Sequence, residues 1–179
     1  VTFHPVTLEL NQTTKQINEL LQALAELTDT HLILTMPNAD TESRSIFKLM
    51  HEFQSQHEHA KVFTSLGQVR YLSCISHVDG VIGNSSSGLM EVPSFKKGTV
   101  NIGDRQRGRL QAESVINCIA KKEEIHNAIN ELYTPNFIEK VKNCVNPYGK
   151  PGASDKIIEK LTRIASTANT KKAFFDLEC

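Results

Sequence analysis

Short apolar runs alternate with amphipathic segments along the whole chain. In the amphipathic segments apolar residues recur every three or four positions, as at Ile17, Leu20 and Leu24, and this spacing is typical of one helical face. Six strands are predicted, over residues 1–4, 31–36, 61–65, 80–83, 99–102 and 114–119. Helices are predicted over residues 10–27, 40–57, 69–75, 89–95, 122–133, 136–145 and 154–165. Pro93 lies within the fourth of these helices, which must therefore bend or end early.

This alternation favours an α/β fold, because parallel strands need crossover connections that are usually helices. We predict a single Rossmann-like, doubly wound parallel sheet of about six strands over residues 1–166. In such sheets ligands bind beyond the carboxyl ends of the strands, where the strand order reverses. The loops that follow the predicted strands at that edge are residues 4–7, 37–40, 65–67, 83–88 and 103–109.

Composition excludes several classes of partner. The 179 residues contain 20 basic and 20 acidic side chains, so the chain lacks the basic surplus of a nucleic-acid-binding domain. No apolar run approaches the roughly 20 residues of a membrane span, and no secretory signal pattern begins at Val1. The four cysteines have no CxxC spacing. We therefore expect no nucleic acid, no membrane, no metal ion and no cofactor, and a cytoplasmic location.

The most unusual loop is Gly83-Asn84-Ser85-Ser86-Ser87-Gly88, which leaves an apolar strand and opens a helix. Free N–H groups at a helix start attract anions, and small residues let a phosphate approach them closely. The loop is neither a Walker A motif nor GxGxxG. Ordinary N-capping requires a single serine rather than three. The loop therefore favours phosphate binding.

Two further polar positions flank this loop in the predicted fold. Glu91 is out of register for a capping box, whose serine or threonine would stand where Gly88 does. Its carboxylate is suited to accept both ribose hydroxyls, although simple complementarity to the helix dipole explains it equally well. In the loop after the fifth strand Arg105 is nearest the strand end, and arginine suits bidentate phosphate contact.

Three other loops contribute weaker candidates. His4 follows the first strand, and Pro5 fixes the turn after it, so His4 is predicted to donate to a diphosphate or to act as an acid. Asn38 follows the second strand and is predicted to face the ligand. Ser65 and Gly67 end the third strand, at a position that often holds a base in this fold.

With these loops the chain resembles the C-terminal domain of UDP-N-acetylglucosamine 2-epimerases, which have the glycosyltransferase-B architecture. The matching pieces are residues 4–7, 37–40, 83–92, 101–109 and 146–149 with 153–154. The hydrolysing branch is more similar, because Phe3-His4-Pro5-Val6-Thr7 stands where non-hydrolysing enzymes have Gly-His-Arg-Arg-Glu-Asn. The resemblance implies that UDP leaves the sugar by elimination and that water adds to the glycal, giving N-acetylmannosamine and UDP.

The resemblance also implies roles for residues of this chain. The diphosphate is assigned to Ser85, Ser86 and Ser87, and Asn84 is counted with them as a substrate-binding residue. The ribose is assigned to Glu91 and uracil to the segment containing Ser65 and Gly67. Arg105 is placed on the phosphate side, and His4 is placed where it reaches the diphosphate or assists its departure.

The resembling enzymes have two domains, and their catalytic carboxylates belong to the N-terminal one. This chain is therefore expected to be the UDP-binding half, with residues 167–179 docking on the missing half and a homo-oligomeric parent enzyme. Alone, it is expected to bind UDP or UDP-N-acetylglucosamine weakly and not to turn over. Two alternatives remain open: the donor-binding half of a glycosyltransferase, and a non-catalytic nucleotide-sugar-binding module.

Overall fold

Helices and strands alternate throughout the computed structural model, which describes residues 1–6, 12–37 and 43–165. The helices are α1 (Thr13–Ala25), α2 (Ser43–Gln56), α3 (Gly67–His77), α4 (Ser87–Met90), α5 (Lys122–Leu132), α6 (Pro135–Asn143) and α7 (Ala153–Ala165). The strands are β1 (Leu32–Thr35), β2 (Ala60–Phe63), β3 (Gly80–Gly83), β4 (Gly98–Ile102) and β5 (Val115–Cys118). Pro93 breaks the predicted helix 89–95, as expected, into the single turn α4 and a 3₁₀ turn over Val92–Phe95.

The chain divides into two compact units, Val1–Tyr148 and Gly149–Cys179. The second unit contains α7, which has a pronounced apolar face formed by Ile157, Ile158, Leu161 and Ile164. The predicted docking tail, residues 167–179, lies outside the described residues. All five strands belong to the first unit.

Every strand pair is parallel. β1 pairs with β2, and β3 pairs with β4, which pairs with β5. Thr2 joins the two groups, since it forms isolated bridges to Thr35 on one side and to Gly83 on the other. The lateral order is therefore β2, β1, Thr2, β3, β4, β5, and the order reverses between Thr2 and β3.

The first predicted strand, residues 1–4, differs from expectation. It contributes the bridging residue Thr2 rather than a full strand, so the described residues contain five strands instead of six. This segment nevertheless bonds on both sides: the Thr2 N–H donates to the Ile82 carbonyl of β3 at 2.9 Å, and the Thr35 N–H of β1 donates to the Val1 carbonyl at 2.9 Å. The doubly wound parallel arrangement is confirmed.

Apolar side chains cover both faces of the sheet. One large cluster joins Phe3 and strand residues such as Leu34 and Val100 with α1, α2, α5 and α6. A smaller cluster, Ile75, Val81 and Val92, packs with α3 and the 3₁₀ turn. Val81 belongs to the smaller cluster and Ile82 to the larger one, as expected for neighbours whose side chains alternate between faces.

Gly83 is required where the two groups of strands approach most closely. Its φ is 140°, and a Cβ added there would lie 1.8 Å from the Thr2 carbonyl oxygen. No side chain fits without moving the Thr2 backbone away from β3.

We expect Gly83→Ala to lower the free energy of unfolding by about 2 kcal/mol or more, because the added methyl separates the two groups of strands. Gly108→Ala is the matched control, since Gly108 also has a positive φ, 81°, but open space around it. Its cost is expected to be the conformational penalty alone, about 1 kcal/mol. Urea denaturation measures both, and equal losses would contradict the close-approach explanation.

Candidate functional site

The loops after Thr2 and after β3 are tied together by one side chain, that of Asn84. Its Oδ1 accepts from the His4 N–H at 2.7 Å, and its Nδ2 donates to the His4 carbonyl at 2.8 Å. Asn84 is 1% exposed and His4 is 7% exposed. The amide thus continues the strand pairing into the loops, one residue beyond Gly83, which bridges Thr2. It fixes the His4 backbone beside the serine loop (residues 85–87), where the strand order reverses.

A second set of hydrogen bonds joins the loop of residues 103–109 to Asn84. The Asn84 carbonyl accepts from Gln106 Nε2 at 2.8 Å and from Arg105 Nη1 at 3.2 Å. Gln106 is 1% exposed, whereas Arg105 is an exposed residue. Sequence reasoning missed Gln106, because a glutamine between two arginines carries no recognisable pattern.

The serine loop, residues 85–87, presents hydrogen-bond donors that helix capping does not use. Ser86 occupies the N-cap position of α4 but makes no side-chain cap bond. Ser85 Oγ accepts the Ser87 N–H at a long 3.4 Å. Within residues 1–6, 12–37 and 43–165, no acceptor is found for the backbone N–H of Ser85 or Ser86. The ordinary capping explanation for three serines is therefore weak.

α4 is shorter than the helix predicted over residues 89–95. It is one turn long, so its aligned peptide dipoles are few and its macrodipole is small. Any attraction for an anion must come from individual N–H and O–H donors and from Arg105. Position 88 in this turn favours glycine, because a Cβ there would lie 2.6 Å from the Thr99 methyl group.

Glu91 ends α4 next to these donors. Its N–H donates to the Ser87 carbonyl at 2.9 Å, and its side chain is half-buried. It lies close enough to Tyr71 for its charge to act on the phenol. Burial raises the pKa of Tyr71, and the negative charge of Glu91 raises it further, whereas the hydrogen bond with Ser87 lowers it. Glu91 therefore follows α4 directly, and its charge acts on the phenol that contacts Ser87.

The remaining predicted residues are more peripheral. Ser65 and Gly67 follow β2, where Ser65 Oγ accepts the Gly67 N–H at 3.1 Å, and both are exposed at the start of α3. Nothing in the described structure links them by a hydrogen bond to the serine loop. Asn38 lies outside the described residues. The roles of these three residues stay predictions.

A cavity of about 490 Å³ is lined by β1, β3 and α3, and its lining includes Thr35, Gly80 and Tyr71. Most of the lining lies below the carboxyl edge of the sheet, and ligands of doubly wound sheets bind beyond that edge, so this cavity is a poor candidate for the site. Among the described residues, no group of three His, Cys, Asp or Glu side chains is arranged to hold a metal ion, and no described helix is long and apolar enough to cross a membrane.

Several curated proteins are similar in sequence to this chain. It is 38% identical to polysialic acid biosynthesis protein P7 of Escherichia coli over 182 aligned positions, which cover 100% of this chain and 46% of the relative. It is 36% identical to the hydrolysing GDP/UDP-N,N'-diacetylbacillosamine 2-epimerase of Campylobacter jejuni, covering 99% of the chain and 46% of that protein. The chain therefore spans about half the length of these relatives.

Solved structures have the same fold. A UDP co-structure of MnaA from S. aureus superposes with a TM-score of 0.70 at 17% identity, covering 98% of this chain and 47% of that one. The Methanocaldococcus jannaschii UDP-GlcNAc 2-epimerase, in complex with UDP-GlcNAc and UDP, gives 0.69 at 14% identity over 90% of this chain and 44% of that one. At these identities the likeness is one of fold.

A family model supplies the assignment. The model described as UDP-N-acetylglucosamine 2-epimerase matches residues 1–162, which include both ties of Asn84, the serine loop and Glu91. Together with relatives that align over the full chain, this match shows that the chain belongs to the UDP-N-acetylglucosamine 2-epimerase family.

Proposed function

We propose that this chain is the UDP-binding half of a hydrolysing UDP-N-acetylglucosamine 2-epimerase, in which it holds the leaving group. The observation that carries the proposal is the serine loop, in which no acceptor is found for the Ser85 and Ser86 N–H groups in the described structure and which His4 and Arg105 border. Family membership supports the nucleotide-sugar class, and the relatives named as hydrolysing enzymes support release of UDP. These names belong to proteins about twice as long as this chain.

The diphosphate is assigned to the backbone N–H groups of Ser85 and Ser86, the hydroxyls of the serine loop, and Arg105. Charge-assisted hydrogen bonds to phosphate oxygens are stronger than neutral ones, and arginine offers two parallel donors. Arg105 already donates to the Asn84 carbonyl through Nη1, so its guanidinium is oriented before a ligand arrives. Such preorganisation lowers the entropy lost on binding.

His4 and Asn84 are given different tasks. Both ends of the Asn84 amide are engaged with the His4 backbone, so Asn84 serves the ligand mainly by positioning. The His4 ring then stands on a fixed backbone next to the diphosphate. From there it stabilises the charge that develops on the phosphate as the bond to the sugar breaks.

The nucleoside is assigned to Glu91, Ser65 and Gly67. A half-buried carboxylate accepts two neighbouring hydroxyls, which matches the 2′- and 3′-hydroxyls of ribose. Ser65 and Gly67 are exposed after β2, where backbone groups are available to a base. Asn38 is proposed to complete this side of the ligand.

The reaction of the whole protein is proposed to proceed in two stages. The anomeric C–O bond to the diphosphate breaks while a base removes the proton from C2, leaving UDP and a glycal. Water then adds to the glycal double bond and gives N-acetylmannosamine. We assign the proton transfers at the sugar to carboxylates of the part of the protein that lies outside this chain.

The names of two relatives suggest a second candidate for the sugar of the substrate. Two of them, from Campylobacter jejuni and Legionella pneumophila, are named for N,N'-diacetylbacillosamine and are 36% and 30% identical to this chain. The nucleotide contacts proposed above are common to both UDP-sugars, so they do not distinguish them. A competition experiment with the two UDP-sugars against the whole protein decides between them.

Titration of the chain with UDP, followed by ¹⁵N NMR, is expected to give saturable shifts at residues 84–88, at Glu91 and at Arg105. Arg105→Ala should weaken binding about tenfold or more, since a hydrogen-bonded charge is removed. Arg107→Ala is the matched control, because Arg107 is an exposed arginine of the same loop whose side chain has no hydrogen bond or ion pair in the described structure. Equal effects of the two variants, or no saturable shifts in the unmodified chain, would refute the assignment.

Glu91 is tested through the sugar of the nucleotide. We expect the unmodified chain to bind UDP several-fold more tightly than 2′-deoxy-UDP, because the carboxylate loses one hydrogen-bond donor in the deoxy compound. Glu91→Ala should bind both nucleotides equally and weakly. Isothermal titration calorimetry measures the four affinities, and discrimination that persists in the variant would remove Glu91 from the ribose site.

The isolated chain is expected to release no UDP from UDP-N-acetylglucosamine, because the groups that transfer protons at the sugar are absent from it. A coupled assay for UDP measures this, with a full-length hydrolysing relative and its own substrate as positive control. A turnover near one per second by the chain alone, corresponding to an ordinary enzymatic barrier, would overturn this expectation.

A further inference from the structure

The ring of Tyr71 projects from α3 onto the serine loop but has no place among the ligand contacts proposed above. Its phenol donates to Ser87 Oγ at 2.8 Å. The ring packs against the apolar cluster of Ile75, Val81 and Val92, which anchors it. The hydroxyl is therefore held in one place by packing that does not depend on any ligand.

The direction of this hydrogen bond decides what Ser87 has left to offer. A serine hydroxyl has one proton to donate and two lone pairs that accept. Since the phenol is the donor, Ser87 accepts, and its own proton remains to be donated elsewhere. Within the described residues no acceptor is found for that proton.

The surroundings keep the phenol in its donor form. Burial, the larger effect, and the neighbouring Glu91 charge both raise the pKa of Tyr71, against an opposing effect of the Ser87 hydrogen bond. Tyr71 therefore stays protonated at neutral pH. If it ionised, it would accept the Ser87 proton and turn it away from an anion.

We propose that Tyr71 is a positioning residue that fixes Ser87 as an acceptor and thereby points the Ser87 hydroxyl proton at the diphosphate. The inference rests on the proposed function, since it concerns the same phosphate site. Tyr71 itself makes no contact with phosphate in this arrangement. Its effect passes entirely through Ser87 Oγ.

A double-mutant cycle tests the relay. Tyr71→Phe keeps the ring and removes only the donor, and it is expected to weaken UDP binding about three- to tenfold, the usual range for one neutral hydrogen bond. Ser87→Ala should weaken binding by at least as much. If Tyr71 acts through Ser87, the double variant binds UDP as Ser87→Ala does, because removing the phenol matters only while the serine hydroxyl is present.

Uridine, which lacks phosphate, separates positioning from general loosening of the site. Tyr71→Phe should leave uridine affinity unchanged, while a purely structural defect would lower UDP and uridine affinity together. Tyr133→Phe is the matched control, since it removes a half-exposed phenol just after α5 and should change neither affinity. ¹⁵N NMR titration gives all of these affinities.

The outcomes are distinguishable. Unchanged UDP affinity in Tyr71→Phe, equal losses for UDP and uridine, or additive losses in the double variant would each overturn the role of Tyr71 while leaving the proposed function intact. Absence of UDP binding by the unmodified chain would overturn both. Selective, non-additive loss for UDP is the result that supports the relay.

Discussion

The pair of hydrogen bonds between the Asn84 amide and the His4 backbone is the interaction on which the rest of the site depends. It lies directly beyond the place where Gly83 meets Thr2, and it joins a loop from each group of strands. An amide side chain suits this task because it carries a donor and an acceptor side by side, as a backbone peptide does. Its neutrality also matters, since a buried carboxylate there would place a negative charge beside a proposed diphosphate.

The buried and the exposed residues around these hydrogen bonds have different roles in the site. Gln106 is buried and holds the Asn84 carbonyl, while Arg105 bonds to the same carbonyl and remains exposed. The serine loop lies between these groups and Tyr71. Buried residues therefore fix the backbone, and the exposed or half-buried ones keep donors available for a ligand.

Much of the fold follows from the sequence because its periodicity is strong. The predicted strand 80–83 and the predicted helix 122–133 agree with β3 and α5 to within one residue. The first strand was predicted too long, because apolar character at residues 1–4 does not reveal how many neighbours each residue pairs with. Thr2 is the residue that bridges both neighbours, and pairing of that kind is decided by tertiary contacts.

For the site, the sequence indicated the serine loop, Glu91 and Arg105, because an unusual loop composition after a predicted strand can be recognised without a structure. It did not indicate Tyr71 or Gln106. Tyr71 is 16 residues from Ser87 and belongs to an unremarkable helix, and Gln106 is 22 residues from Asn84. Their importance comes from a meeting of distant segments, for which a single sequence contains no local signal.

The separation of 80 residues between His4 and Asn84 has a consequence for how the protein folds. Contacts of such high sequence separation form late, because the entropy of closing a long loop must be overcome before they contribute. A partly folded chain with intact helices would therefore lack the anion-binding arrangement altogether. A ligand that binds only the completed arrangement shifts the folding equilibrium towards the native state by mass action, so binding of a nucleotide at the proposed site would be thermodynamically linked to folding.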